Sequence, residues 1–507
     1  MPDTLFLLWD IFSLTIFFFT LGYYVIVNLQ WYNYNISRVI TKHHKQNWHL
    51  YYFVIPILFV LFTHHLYHSI IFYIYLYMVD VPMFILWYKR LDKKLIYTAR
   101  VKRYFTILAV CVYCMVYFLW YKESLFIQSY FIDIAVKNMC LIVSFCVGVY
   151  CSLICELILF KRYASYAHKK IQSLQNLTII AITGSYGKTS IKNFVAEILS
   201  KQFNTYATPR SVNTYKGLVS DINQNLTQEH RIYIAEAGAR NQGDIAEISN
   251  LLQQHYGVIG KIGNAHIEYF KDIQTTISTK FEMLYSNRLH RIFMQKDNTL
   301  PHELPQKFQE NLNKITPYPA NLTNIESTLE KTSFSLEIDS NMVDFETQIL
   351  GRFNIDNIAV AILLAKEFGM EITQIQEAIK HLKPIPHRLN KIVTANKIIL
   401  DDSFNGNLEG MSEAIRLSSL HIGRRVIVTP GLVEYDEESN IALAKYIDEV
   451  FQLVIITGNL NTSLLSKYIT KAEKIILKDK ANLESTLSES GKNGDLVLFA
   501  NDAPNYI

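Results

Sequence analysis

Residues 179–190 read IIAITGSYGKTS, and this stretch limits the possible fold of the chain more than any other. A run of β-branched apolar residues that ends at a glycine predicts a buried strand. The two glycines let the backbone turn tightly and bring its N–H groups close to an anion. Lys188 then supplies a cation and Thr189 a hydroxyl that suits Mg²⁺, at the start of a helix. We therefore predict a phosphate-binding loop, although Ile182 stands where the usual pattern begins with glycine.

The first third of the chain contains five apolar segments that are long enough, or nearly so, to cross a bilayer. They lie at about residues 5–29, 50–68, 69–88, 104–121 and 138–160. Hydrophobic residues make up 50% of the chain and charged residues 19%, and the mean hydropathy of +0.11 averages an apolar part with a polar part. We predict a membrane domain over residues 1–165 with about five transmembrane helices.

Basic residues follow the first, third and fifth of these segments. They are Arg38, Lys42 and Lys45, then Lys89, Arg90, Lys93, Lys94, Arg100, Lys102 and Arg103, and finally Lys161, Arg162, Lys169 and Lys170. Because basic loops favour the cytoplasmic side, this pattern predicts a multi-pass protein with its N-terminus outside. Everything after residue 160 would then lie in the cytoplasm, where ATP is available.

Charge and cysteine usage exclude several classes of site in the second part of the chain. The formal net charge is +4, and no basic stretch is interleaved with aromatic residues, so we expect no nucleic-acid partner. All six cysteines precede residue 160 and lie in apolar segments. The later part therefore has neither disulfides nor a cysteine zinc site.

After residue 171, strands alternate with amphipathic helices, which indicates α/β architecture with parallel sheets. Glu236 ends one such strand, and a carboxylate there is well placed beside a phosphate loop to hold Mg²⁺. His266 follows another strand and a glycine turn, so a structural role and a metal or phosphate contact both remain open. Lys280, by its sequence alone, is a solvated lysine. Two prolines within residues 383–388 predict a hinge, which divides this part into domains 171–389 and 390–507.

Other elements of this part can also be placed. Residues 300–345 are polar with short strands, which indicates an excursion of the central domain. Helices are expected at about 354–368 and 372–382. Beyond residue 391, strands that alternate with helices are expected at 397–401, 424–429, 453–457, 474–477 and 495–499.

Several motifs in this part occur in an order that resembles one family. They are TGSYGKTS at 183–190, EAGAR at 236–240, GNAHIE at 263–268, KFE at 280–282, GRFNIDN at 351–357, Arg388, and DDSFNGN at 401–407. The set resembles the Mur ligases, ATP-dependent enzymes that add amino acids or dipeptides to the peptidoglycan precursor. The motif at 401–407 looks most like the family member that adds D-alanyl-D-alanine. The resemblance covers about residues 171–507.

The resemblance implies a fold and an activity. The fold would be a multi-span α-helical membrane domain followed by α/β domains, namely a P-loop Mur ligase central domain and a smaller Rossmann-like C-terminal domain. The activity would be ATP-dependent addition of D-alanyl-D-alanine to UDP-N-acetylmuramoyl-tripeptide through an acyl phosphate. The site would lie at the cytoplasmic membrane of a bacterium, in contact with membrane lipid and possible cell-wall synthesis partners.

The resemblance also implies roles for individual residues. Lys188 would contact the β- and γ-phosphates, and the other nucleotide-binding residues of the loop would be Gly184, Ser185, Tyr186, Gly187, Thr189 and Ser190. Thr189 and Glu236 would hold one Mg²⁺, and His266 would hold a second together with a carbamylated Lys280. Lys188, His266 and Lys280 would be the catalytic residues.

The remaining implied contacts come from later motifs. Asn357 would meet the adenine, Arg388 the phosphates and Asp402 the ribose. Asn213 and Asn405 would contact the substrates to be joined. Closure of the C-terminal domain onto the central one would complete the site.

Departures from the family pattern leave the acceptor open. The small soluble domain that grips the UDP end in this family is missing, and the membrane part takes its place. A lipid-linked muramyl peptide or another peptide acceptor is therefore an alternative. A second alternative, from another class, is a transporter or membrane scaffold with a nucleotide-binding domain, which the absence of an internal repeat disfavours.

Overall fold

The chain forms two compact units in the computed structural model, Met1–Tyr163 and Ala164–Ile507. The structure describes residues 2–41, 45–64, 69–91, 93–121, 130–209, 212–263, 270, 272–302, 306–404, 406–433 and 435–501.

The first unit is helical. Its helices are Pro2–Trp31, Ile36–Thr41, Asn47–Thr63, Ile70–Lys89, Ala99–Tyr121 and Tyr130–Ser173, the last of which extends into the second unit. Within the described residues, four segments are long and apolar enough to cross a membrane, namely Leu5–Trp31, Ile70–Lys89, Ala99–Leu119 and Ile134–Ser173. The structure thus gives four such helices where the sequence predicted about five.

The difference lies in the second predicted segment, 50–68. It forms the shorter helix Asn47–Thr63, which ends where His64 adopts an extended backbone. Residues 65–68 lie outside the described residues. Hydropathy counts apolar residues without locating a helix end, and this is why the sequence predicted a longer span.

A buried polar cluster joins four elements of the first unit. The ring nitrogens of His64 lie 2.9 Å from Asn138 Oδ1 and 3.2 Å from Asp10 Oδ1, and Tyr73 donates to Asp10 at 2.8 Å. The Asn138 amide donates to the carbonyl of His64 at 2.7 Å. Polar groups buried among apolar helices need such partners, so the cluster fixes how these helices pack.

The second unit contains a parallel six-stranded sheet. Its strands are β1 Thr178–Thr183, β2 Thr205–Ala207, β3 Ile232–Glu236, β4 Tyr256–Ile259, β5 Arg291–Gln295 and β6 Ile315–Tyr318, in the order β2-β3-β1-β4-β5-β6. The helices among them are Lys188–Leu199, Tyr215–Asn225, Asp244–Leu252, Ile273–Phe281 and Gln306–Gln309, with short 3₁₀ helices at Glu282–Tyr285 and Leu312–Lys314. Strands β1 and β3 are apolar and buried because helices cover both faces of such a sheet.

Strand register brings the candidate site together. Ile182 pairs with Glu236, and Thr183 pairs with Ile259, so β1, β3 and β4 end at one edge of the sheet. Ligands bind at this edge in parallel α/β sheets, where the loops that follow the strands converge. Helix Lys188–Leu199 packs against helix Phe353–Glu367 in one apolar core and thereby anchors the loop after β1.

A small antiparallel sheet follows, with strands β7 Leu322–Ser327, β8 Thr332–Ile338 and β9 Asn341–Thr347. Helices Phe353–Glu367 and Ile372–Lys380 come next, close to the limits that their apolar periodicity predicts. The polar stretch at 300–345 is thus an excursion of the central part, as expected from its short strands.

A second six-stranded sheet occupies the C-terminal part. Its strands are β10 Asn390–Val393, β11 Lys397–Asp402, β12 Arg425–Thr429, β13 Leu453–Thr457, β14 Glu473–Leu477 and β15 Asp495–Ala500, in the order β10-β11-β15-β12-β13-β14. Only β10 runs antiparallel to its neighbour among these strands. The helices are Leu408–Ser419, Glu437–Val450, Thr462–Tyr468 and Leu483–Ser490, with a 3₁₀ turn at Lys480–Asn482. All five predicted strands after residue 391 are present, and the predicted α/β fold is confirmed.

One carboxylate ties two elements of this part together. Asp448, on helix Glu437–Val450, accepts hydrogen bonds from the N–H groups of Lys471 and Ala472 at 2.8 and 2.9 Å. The Thr470 hydroxyl donates to its other oxygen at 2.9 Å. The helix is therefore fastened to the turn that leads into β14.

Candidate active site

The loop after β1 has the conformation that anion binding requires. Gly184 and Gly187 have φ values of +151° and +77°, which residues with a Cβ rarely adopt. A Cβ on Gly187 would lie 2.5 Å from Asn357 Oδ1, so a larger residue would also collide with the helix behind the loop. Helix Lys188–Leu199 begins directly after Gly187, and its positive end points into the loop.

Lys188 lies inside this loop. Its ammonium group donates to the carbonyl oxygens of Gly184 and Ser185 at 2.8 and 3.0 Å. Burial lowers the pKa of Lys188, Glu236 partly offsets this effect, and Arg388 lowers the pKa further. The lysine is therefore held by backbone oxygens at the position where a phosphate would be cradled.

Glu236 forms the centre of a buried group of oxygen and nitrogen atoms. Thr189 Oγ1 donates to Glu236 Oε2 at 3.0 Å, and Asn213 Nδ2 donates to Glu236 Oε1 at 3.1 Å. Lys192 Nζ lies 3.9 Å from the same carboxylate and donates to the carbonyl of Thr208 at 2.7 Å. Both carboxylate oxygens are thereby oriented.

This group suits a magnesium ion. Hydroxyl and carboxylate oxygens are the ligands that Mg²⁺ prefers, and Thr189 and Glu236 offer one of each. Within the described ranges, no group of three or more His, Cys, Asp or Glu side chains could hold a metal. A magnesium ion here would therefore complete its shell with nucleotide oxygens and water, as it commonly does.

Lys280 is buried close to this loop, on helix Ile273–Phe281. Burial lowers its pKa from 10.5 to about 7, and the nearby positive charge of Lys188 adds to the effect. A neutral amine is the form that reacts with CO₂ to give a carbamate. The structure thus corrects the view from the sequence alone that Lys280 is solvated, and its burial is consistent with the carbamate that the resemblance implies.

Two predicted site residues lie outside the described residues, namely His266 and Asn405. Of the remaining ones, Asn213 contacts Glu236, and Asn357 lies against Gly187 of the loop. The structure thus brings both asparagines to the phosphate-loop side of the site.

The C-terminal contributions lie at the junction with β10 and β11. Arg388 donates to the carbonyl of Phe404 at 3.2 Å, and its guanidinium lies 4.6 Å from the centre of the Phe404 ring. Asp402 accepts from the N–H of Leu389 at 3.2 Å. Burial raises the pKa of Asp402 to about 6, against the opposing effect of Arg388. Arg388 thus lies close enough to influence both Lys188 and Asp402.

Sequence reasoning missed two residues that shape the site. Lys192 contacts the Glu236 group, and Asn298 accepts from the N–H of Ile262 at 2.9 Å and donates to the carbonyl of Gly260 at 3.0 Å. Lys192 lies one helical turn beyond Lys188, on the same face of the helix, and this spacing could have indicated its position. No local pattern indicates the contacts of Asn298.

Comparison with known proteins agrees with this geometry. Residues 182–365 match the Mur ligase middle domain. The chain contains a Mur ligase middle domain. This domain begins in β1, includes the phosphate-binding loop, Glu236 and Lys280, and ends in helix Phe353–Glu367. The predicted resemblance to the Mur ligases is confirmed over these residues.

Curated relatives of this Mur ligase domain share a name. The chain is 31% identical over 268 residues to the "UDP-N-acetylmuramoyl-tripeptide--D-alanyl-D-alanine ligase" of Escherichia coli (strain K12), which covers 52% of this chain and 59% of that protein. It is 27% identical over 348 residues to the enzyme of the same name from Buchnera aphidicola subsp. Acyrthosiphon pisum (strain APS), covering 63% and 74%. The chain thus spans 59% of the length of the Escherichia coli relative.

Solved structures show the same fold. MurF from Acinetobacter baumannii matches with a TM-score of 0.59 and 21% identity, over 68% of this chain and 77% of that one. MurF ligase from Thermotoga maritima, solved in complex with ADP, matches with a TM-score of 0.57 and 21% identity, over 68% and 80%. The part of the chain with the two six-stranded sheets therefore has the fold of these two structures.

Proposed function

We propose that this protein is an ATP-dependent ligase that adds D-alanyl-D-alanine to UDP-N-acetylmuramoyl-tripeptide in peptidoglycan precursor synthesis. The observation that carries the proposal is the Thr189–Glu236–Asn213 group beside a phosphate-binding loop. The names of the curated relatives support the choice of substrates.

In the proposed reaction, a carboxylate oxygen of the tripeptide attacks the γ-phosphorus of ATP, and ADP leaves. The amine of the dipeptide then attacks the acyl phosphate carbonyl, and inorganic phosphate leaves as the amine gives up a proton. Lys188 would neutralise phosphate charge, since its ammonium lies inside the loop. Magnesium, when bound, would offset the negative charge that gathers between the two anions.

Other residues would position the reactants rather than react. Thr189 and Glu236 would hold one Mg²⁺, and His266 with a carbamylated Lys280 would hold a second. Asn357 would meet the adenine and Asp402 the ribose. Arg388 would reach the phosphates, a role supported by its effect on the pKa of Lys188.

Asn213 and Asn405 are the proposed contacts to the substrates. Asn213 donates to Glu236 in the structure, so it would also orient this metal ligand. The proposal divides the chain into a membrane domain at 1–165, a central ligase domain at 171–389 and a C-terminal domain at 390–507.

The location follows from the helical unit. Its four long apolar helices support insertion in the cytoplasmic membrane of a bacterium, in contact with membrane lipid. The basic residues after the first, third and fifth apolar segments support an N-terminus outside and a ligase site in the cytoplasm. This orientation requires an odd number of crossings, so in the proposal the shorter apolar helix Asn47–Thr63 also crosses the membrane. Other cell-wall synthesis proteins in the membrane are the proposed partners.

The test is an assay of the full chain, purified in detergent, with ATP, Mg²⁺, UDP-muramyl tripeptide and D-alanyl-D-alanine. We expect ADP release that depends on the dipeptide, together with formation of the pentapeptide. Lys188→Ala should abolish both signals, whereas Lys331→Ala, at an exposed pair with Glu346, should leave them intact. A rate of ADP release that is the same with and without the dipeptide would contradict the proposed ligase activity and favour a transporter or scaffold.

A second acceptor follows from the four apolar helices in the same chain. They would keep the ligase close to lipid-linked muramyl peptides, so the tripeptide could be presented on a lipid carrier instead of UDP. The same assay with both acceptors separates the two. A higher kcat/KM for the lipid-linked tripeptide would favour this alternative.

A further inference from the structure

One face of helix Leu408–Ser419 is directed at the central part of the ligase unit. Glu409, Glu413 and Arg416 are spaced by four and three positions, so they lie on the same side of the helix. Glu413 Oε1 accepts from the N–H of Arg352 at 2.9 Å, and Arg416 donates to the carbonyl of Ser327 at 3.0 Å. These two contacts join the C-terminal domain to residues of the central domain outside the phosphate-binding loop.

The third residue of this face makes a different contact. Glu409 forms an ion pair with Lys261, which follows β4 at the edge of the site. The carbonyl of Lys261 accepts from the N–H groups of Ser185 and Tyr186 at 2.9 and 3.2 Å. Lys261 thus pairs with the C-terminal domain through its side chain and holds the phosphate-binding loop through its backbone carbonyl.

Tyr186 makes a second contact of this kind from within the loop. Its ring packs so closely on Gly263 that a Cβ there would lie 2.7 Å from Tyr186 Cε2. Its hydroxyl lies 2.9 Å from the hydroxyl of Tyr435, in the C-terminal part. The loop therefore contacts the C-terminal domain directly through Tyr186 and indirectly through Lys261.

We propose that Tyr186 and Lys261 are positioning residues that couple docking of the C-terminal domain to the conformation of the phosphate-binding loop. The contacts of Glu413 and Arg416 hold the C-terminal domain at the junction. Those of Tyr435 and Glu409 form at the phosphate-binding loop when the domain docks. Neither Tyr186 nor Lys261 needs to touch a reacting atom. The kinetic part of this inference rests on the proposed ligase reaction, and the docking part does not.

The charge pair allows a direct test by exchange. Lys261→Glu and Glu409→Lys should each lower kcat by about threefold to tenfold, the range for losing an exposed ion pair and gaining a like-charge contact. The affinity for a fluorescent ADP analogue should change by less than about twofold, because the backbone bonds of the loop remain. The double variant should recover kcat to within about twofold of the original, since the pair is restored in reverse.

Matched controls separate coupling from general effects of charge. The pair Lys331 and Glu346 joins the residue before β8 to β9. Its side chains have similar exposure, 55% and 48% against 44% and 58% for Lys261 and Glu409. The single charge reversals Lys331→Glu and Glu346→Lys should leave kcat unchanged. Single reversals of Lys261 and Glu409 without effect, or a double variant no better than either single one, would overturn the proposal.

Tyr186→Phe gives an independent measurement, because it keeps the ring on Gly263 and removes only the hydroxyl. All native cysteines precede residue 160, so they can be replaced and new ones placed at Lys261→Cys and Glu409→Cys. The yield of cross-linking by a short bismaleimide then reports docking whether or not the ligase reaction occurs. Tyr186→Phe should lower this yield by about twofold or more; an unchanged yield would reject the role of Tyr186.

Discussion

Replacing Lys280 should raise the stability of the fold and abolish ligase activity. Its side chain is buried, and its pKa is lowered from 10.5 to about 7 by that burial and by Lys188. We consider Lys280→Met, which keeps an unbranched chain of similar length and removes the charge. The variant should lose ligase activity, because no carbamate can form, and should be more stable at neutral pH.

The magnitude follows from proton linkage. Because the folded-state pKa is the lower one, the unfolded chain binds more protons between about pH 7 and 10.5, so stability rises with pH across this window. A lysine with the two pKa values above costs the fold about 4 kcal/mol at pH 7.5 and about 1 kcal/mol at pH 9.5. The stability advantage of Lys280→Met should therefore shrink by about 3 kcal/mol between these pH values.

The assay is urea unfolding of the full chain in detergent, in CO₂-depleted buffer without metal, followed by circular dichroism at both pH values. All five tryptophans precede residue 121, so tryptophan fluorescence reports the helical unit separately. Lys331→Met is the control, because Glu346 raises the pKa of Lys331 and keeps it charged throughout. A difference between Lys280→Met and the original chain that does not vary with pH would refute the reasoning.

Three further predictions concern other parts of the ligase unit. Gly187→Ala should weaken ADP binding at least about tenfold, because it adds backbone strain of roughly 1–2 kcal/mol to a collision with Asn357. Gly243→Ala is the control and should leave ADP binding unchanged, because Gly243 also has a positive φ but has open space around it. Glu236→Gln should raise the Mg²⁺ concentration for half-maximal turnover at least about tenfold, because a neutral amide is a weaker ligand. Asp448→Ala should lower the free energy of unfolding by about 2–3 kcal/mol in urea unfolding, as it leaves two N–H groups, one of them buried, without their acceptor. A change below about 0.5 kcal/mol would contradict this expectation.

The secondary structure of the C-terminal part was predictable because its signals are local. Strands were expected at 397–401, 424–429, 453–457, 474–477 and 495–499, and each matches an observed strand to within one residue at either end. Buried parallel strands are short β-branched runs, so the sequence marks them directly. Their order in the sheet, in which β15 lies between β11 and β12, depends on long-range pairing that no short window contains.

The first unit shows the limit of hydropathy. The segment at 50–68 is apolar, yet its described helix ends at Thr63, and His64 instead joins Asp10 and Asn138 in a buried cluster. Those partners lie 54 and 74 positions away in the chain. A histidine at the end of an apolar run does not reveal partners so distant.

By itself, the sequence determined the phosphate-binding loop, the α/β class and the placement of Glu236 at a strand end, because each depends on neighbouring residues. Only the tertiary structure decided that Lys280 is buried beside Lys188, that Lys192 and Asn213 meet Glu236, and that Tyr186 reaches Tyr435 across 249 positions. The first depends on the removal of water from the Lys280 side chain, and the others depend on contacts between segments that are far apart in the chain. These features arise only when the sheets and helices pack. The packing adds a buried lysine and an oriented carboxylate to a loop that by itself predicts only anion binding.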